Sequence, residues 1–169
     1  MDYRIEHLDT FKLMGYHIRS TNSFMKGMRD CPAFWKKMIK ENKPESLLPF
    51  MSRQPFGLIG ASVYNVDETD SQKFDYYIAV ATNSETPANL TDYLVPAMTW
   101  AVFPCTLKTN RQTQRNIVRK WAPKSDYQLL NSGYQTGKML SVAPDLEVYG
   151  SGDEVEIWAP VAKKEVIVS

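Results

Sequence analysis

Residues 145–150, DLEVYG, and 154–162, EVEIWAPVA, alternate apolar and polar positions on either side of Ser151, Gly152 and Asp153, which is the pattern of a β-hairpin. The pattern has an earlier counterpart. ASVYN at 61–65 can be laid on LEVYG at 146–150, and FDYYIAV at 74–80 matches EVEIWAP at 154–160 after a one-residue offset. This alignment sets Ser62 against Glu147, Tyr64 against Tyr149 and Tyr76 against Glu156. It points to a duplicated unit, with pseudo-repeats spanning about residues 1–83 and 90–163.

Outward from the hairpins, each half carries a strand and a helix. TFKLMGYHIRS at 10–20 has the mixed polarity of a strand, with Gly15 expected at a bend or bulge. Asp30 is placed to cap a helix over CPAFWKKMIKE, in which Pro32 suits the first turn and Phe34, Trp35, Met38 and Ile39 share a face. A short helical stretch is expected over residues 45–51. In the second half, DYLVP and TWAVFPCTL read as buried strands, followed by a polar helix capped by Thr109, running to Trp121 and stopped by Pro123. The predicted fold class is α+β: a strand-helix-strand-strand unit, used twice about a pseudo-twofold axis. One sheet face of such a unit needs covering, so two copies leave a concave seam between them.

Composition narrows the function. The 169 residues are 43% hydrophobic, enough for a single domain over 1–169 without disulfides or structural metal. Twenty basic and nineteen acidic side chains give a formal charge of +1 with no basic stripe, so direct nucleic-acid binding is not expected. The run from Arg115 to Lys120 with Lys124 reads as a solvated helix face. The N-terminus lacks the basic start and apolar run of a secretory signal, and no segment is long and apolar enough to span a bilayer, so a cytoplasmic location is expected. Cys31 and Cys105 lack metal-ligand spacing and are read as reduced thiols.

Two glutamates draw attention. A four-residue loop in the last hairpin would pair Tyr149 with Glu154 and set Glu147 directly opposite Glu156, with Cβ atoms about 4.5–5.5 Å apart. Like charges so placed need a cation or a shared proton. Such a pair would await a cationic ligand or serve as general acid and base; in the bland alternative one glutamate faces water and the other is held by a basic or backbone donor. Strand alternation groups Tyr64 with Ser62, and Trp158 with Glu154 and Glu156, so these rings are expected near the acidic site. His7 and His17 form no triad, and neither a phosphate-binding glycine loop nor GxSxG occurs, which argues against nucleotide-dependent and serine-hydrolase chemistry.

Five stretches together resemble the GyrI-like, or bacterial transcription-activator effector-binding, domains. They are YRIEHLDTFKLMGY, VPAMTWAVFPC, WAPKSDYQLL, DLEVYG and EVEIWAPV, in the family's order. The resemblance implies a fold shared with SOUL-type proteins and a ligand cleft at the seam, where an acidic residue among aromatic rings receives hydrophobic, often cationic compounds. Carried over, it makes Glu147 and Glu156 the acidic candidates, with Trp100, Tyr127, Tyr76 and Tyr64 as walls; Trp35 and Trp158 complete the set of ligand-binding candidates. In many relatives the domain follows a helix-turn-helix DNA reader, which is not expected here because the resemblance starts at the first residues; Trp100 stands where tyrosine is commoner.

The leading expectation is a small-molecule sensor or sequestering protein without cofactor or metal. The enzymatic alternative is hydrolysis of an electrophilic toxin, with Glu147 or Glu156 as general base and Tyr76 or Tyr127 donating to the leaving group. A partner protein would have only the acidic loop Asp67–Asp70 as a surface cue. Haem is not expected, since neither histidine falls in the cleft.

Overall fold

In a computed structural model, residues 1–131 and 143–165 are described. Apolar alternation builds nine strands: β1 (Arg4–Leu8), β2 (Phe11–Thr21), β3 (Leu58–Val63), β4 (Lys73–Thr82), β5 (Thr91–Val95), β6 (Met98–Thr106), β7 (Tyr127–Leu129), β8 (Asp145–Tyr149) and β9 (Glu154–Lys163). They form one antiparallel sheet in the order β1-β6-β9-β8-β3-β4-β2-β5, with β7 beside β9. From its centre outward the order is palindromic, β3-β4-β2 answering β8-β9-β6. The strand preceding each half pairs with the other half: β1 joins β6, and β5 joins β2. The α+β class and the strand-helix-strand-strand order therefore hold. The second expected repeat includes residues 132–142, which lie outside the described residues.

The sheet curls until its two halves meet. Phe11 of β2 and Trp100 of β6 lie 6.4 Å apart, ring centre to ring centre. Inside the curl, Leu13, Ile59, Ala61, Val102, Leu146 and Trp158 belong to one buried core. The outer face carries the helices. Helix α1 (Gly27–Lys40) and the short α2 (Lys43–Leu47) lay Phe34, Met38 and Leu47 on Phe74, Tyr76, Ile78 and Val80. Helix α3 (Asn110–Asn116) continues through a wider turn at Ile117–Trp121 and lays Ile117 and Trp121 on Phe103 and Ile157. The two helical layers cover opposite halves of the sheet, with β3 and β8 at its centre. Among the described residues no helix is long and apolar enough to cross a membrane.

Several local expectations need correction. Gly15 sits in regular pairing between β4 and β5, not in a bulge. Helix α1 starts three residues before Asp30, whose carboxylate instead accepts a 2.7 Å bond from the Ser20 hydroxyl. Ile39 is 60% exposed and does not share the buried face of Phe34 and Met38. The helix expected over 45–51 begins earlier, at Lys43, and tightens into a final turn at Leu48–Phe50. Thr109 holds the N-cap position of α3, its carbonyl accepting from the Thr113 amide, but its hydroxyl is committed to Thr106 and not to the helix. Both cysteines are free.

Candidate functional site

Side chains on β8 alternate between the two sheet faces. The pairing of Leu146 with Trp158, Glu147 with Ile157 and Val148 with Glu156 settles which face each takes. This register differs by one residue from the expected one. The Gly150 amide bonds the Glu154 carbonyl at 2.9 Å and Gly152 takes a φ of +63°, so the loop holds three residues rather than four. A one-residue slip sends a side chain to the opposite face. The expected Glu147–Glu156 pair therefore does not form.

Glu147 points to the outer face, where side chains of α3 reach it. Its strand partner there is Gly60, where a β-carbon would stand 2.3 Å from the Tyr76 hydroxyl. Only glycine leaves that space. Helix α1 contributes Trp35, whose indole N–H donates to the Tyr76 hydroxyl at 2.6 Å and whose ring meets Tyr149 edge-on at 5.1 Å. From α3, Asn110 and Gln114 lie four residues apart, hence on one helix face. Gln114 donates to Glu147 Oε1 at 3.1 Å, Asn110 donates to Oε2 at 3.3 Å, and the Tyr149 hydroxyl donates to Oε2 at 2.5 Å.

All these donors are neutral. Among the described residues no ion pair reaches Glu147, which is half-buried. Its charge is felt by its neighbours. Burial first, and Glu147 second, raise the Tyr76 and Tyr149 hydroxyls well above the usual tyrosine range and push the Cys31 thiol up to about 12. The arrangement is a carboxylate oriented by hydrogen bonds but not neutralised.

Two residues along β8, Asp145 projects on the same face opposite Ser62. It accepts from Asn131 Nδ2 at 3.1 Å and is hydrogen-bonded to Tyr64. Burial pushes its carboxyl up to about 7. Tyr64 also rests against Phe74, with ring centres 6.0 Å apart.

The other sequence candidates fall elsewhere. Glu156 is on the inner face, held by Arg4 at 2.5 and 3.1 Å and by the Trp158 indole at 3.3 Å. That ion pair and its position on the opposite face separate it from Glu147. Trp100 and Trp158 are buried in the inner core, 6.0 Å apart and edge-on. Tyr127 packs with the α3 cluster. Glu147, Tyr76, Tyr64 and Trp35 thus share the outer-face neighbourhood, whereas Glu156, Trp100 and Trp158 do not. Two surface hollows, one bordered by His7, Met98 and Val161 and the other by Tyr3, Asn116 and Trp121, also lie away from Glu147.

Sequence reasoning missed Asn110, Gln114, Asp145 and Asn131. The only available signal was the i, i+4 spacing of two amides on a polar helix, which reads equally as a solvated face.

Comparison with solved structures finds the same fold in several proteins. SAV2435, solved bound to tetraphenylphosphonium, is 20% identical with a TM-score of 0.78, covering 96% of this chain and 94% of that one. An integron cassette protein from the mobile metagenome of Vibrio cholerae is 18% identical with a TM-score of 0.60, covering 95% of each chain. The EcmrR C-terminal domain is 12% identical with a TM-score of 0.55, covering 96% of this chain and 98% of that one. No curated protein matches the sequence. A family model matches residues 4–161, nearly the whole of the sheet and both helical layers. By that match the chain belongs to the Cass2 family of integron-associated effector binding proteins.

Proposed function

We propose that the protein binds an apolar organic cation over Glu147, between α1 and α3, as a sensor or sequestering protein. The observation that carries this reading is the carboxylate itself, fixed by three neutral donors and matched by no basic side chain among the described residues. Neutral donors orient the carboxylate without cancelling its charge, so the site keeps a net attraction for a positive ligand. Trp35, Tyr76 and Tyr149 supply flat apolar surface around it, and the negative faces of such rings also favour cations. A small hydrated ion would gain little from those rings; a lipophilic cation gains from both features. The tetraphenylphosphonium carried by SAV2435 is a ligand of this class.

Charge recognition is separated from shape by titrating tetraphenylphosphonium and tetraphenylborate, which have the same form and opposite charge, followed by calorimetry or tryptophan fluorescence. The cation is expected to bind at least about tenfold more tightly than the anion. Equal affinities, or a preference for the borate, would overturn the reading.

A further inference from the structure

Glu147 is not the only uncompensated acceptor on this face. Asp145 stands two residues before it on β8, so the two side chains rise from the same face about 6.5–7 Å apart. Their partners on β3 are Ser62 and Gly60, and the Tyr76 hydroxyl and Trp35 ring lie over Gly60, so the two carboxyls rise beside aromatic side chains. No ion pair reaches Asp145 among the described residues.

A second, independent feature lies beside it. Asn131 is only 6% exposed, and its amide nitrogen donates to the Ala143 carbonyl at 2.7 Å and to Asp145 at 3.1 Å. Those two acceptors fix the amide's orientation, because turning it over would set oxygen against oxygen. Its Oδ1 is then left buried without a hydrogen-bond partner among the described residues. A buried acceptor lacking a donor is unfavourable, and here it sits within one amide width of a carboxylate. Two adjacent acceptors call for a group with several N–H donors.

We infer that Asp145 and Asn131 form a second recognition point, which takes an ammonium or amidinium group carried about 5–7 Å from the cationic centre held at Glu147. The inference rests on the proposed cation site and narrows its ligand class to compounds with an apolar cationic body and a second, N–H-bearing positive end. The charged and titratable groups facing Asp145 are Glu147 on its own strand and Tyr64 from the end of β3, with Cys31 of α1 beyond Tyr64. None is basic. Because burial holds the Asp145 carboxyl up to about 7, an arriving ammonium displaces a proton below that pH.

Two phosphonium salts test this. (3-Aminopropyl)triphenylphosphonium and butyltriphenylphosphonium differ only in ending with ammonium or methyl. The amino compound is expected to bind the native protein about tenfold more tightly, and at pH 6 to release a proton, seen as calorimetric heats that vary with buffer. Asp145→Asn, close in shape to the protonated carboxyl, should abolish both effects and leave butyltriphenylphosphonium affinity within about threefold. Asn131→Ala should reduce the preference independently. Equal affinity of the two salts for the native protein would overturn the second point while leaving the Glu147 reading intact. If neither salt binds, both readings are overturned. The comparison on native protein stands even if a variant fails to fold.

Discussion

Replacing Glu147 by glutamine is expected to weaken tetraphenylphosphonium binding by about 30- to 100-fold. A unit charge about 5 Å from a half-buried carboxylate gains about 2–3 kcal/mol at the effective dielectric of such sites, and glutamine forfeits that while keeping the side chain's length. Tetraphenylborate should bind the variant more tightly than it binds the native protein, because a repulsion has been removed. The informative control is Glu156→Gln. Its carboxylate already belongs to Arg4 on the opposite face, so phosphonium affinity should not change. Calorimetry on the two variants separates a specific charge contact from a general effect of net charge; equal losses would favour the latter.

The largest effect on stability is expected from Gly15→Ala. A β-carbon there would lie 1.9 Å from the Ile78 carbonyl oxygen and 2.7 Å from the Ala79 Cα. Both obstacles are backbone, so no rotamer relieves the clash and β2 must move away from β4. The strand is held on both sides, by β4 and by β5, and its Leu13 is fully buried in the inner core. Overpacking of this kind costs about 3 kcal/mol or more, or about 6–12 °C in melting temperature for a domain of this size. Thermal or urea unfolding of the variant measures it. An unchanged midpoint would mean that the close approach of β2 and β4 is wrong.

How much of this was legible in the residues can be traced element by element. The closing hairpin, its counterpart at 58–82 and the helix carrying Trp35 follow from apolar periodicity, because burial on one face imposes a period of two on strands and a wider stripe on helices. Edge strands are weaker signals. β1 is half-exposed, with only Ile5 and Leu8 as aliphatic anchors, and β7 is three residues long. Register was lost through the turn. Gly152 is compatible with a three- or a four-residue loop, and one residue moved Glu156 from beside Glu147 to the far face. Local sequence does not determine that count.

The same limit explains the site. Trp100 and Trp158 are aromatic residues on central strands, and nothing in their own neighbourhoods tells whether they look toward the helices or into the curl. That depends on β6 pairing with β9 and on the sheet bending until Phe11 meets Trp100. Asn110 and Gln114 lie more than thirty residues from Glu147 in the chain and reach it only because α3 crosses the β9 half of the sheet. Contacts of that kind follow from tertiary packing, whereas the carboxylate and the Trp35 ring could be singled out by residue type.

A crystal structure of the protein with tetraphenylphosphonium bound gives the most immediate answer. The phosphorus should lie within about 6 Å of the Glu147 carboxylate, with a phenyl ring against Trp35 or Tyr149. Density for the cation in the hollow beside His7 and Met98, or anywhere out of reach of Glu147, would contradict recognition by that carboxylate.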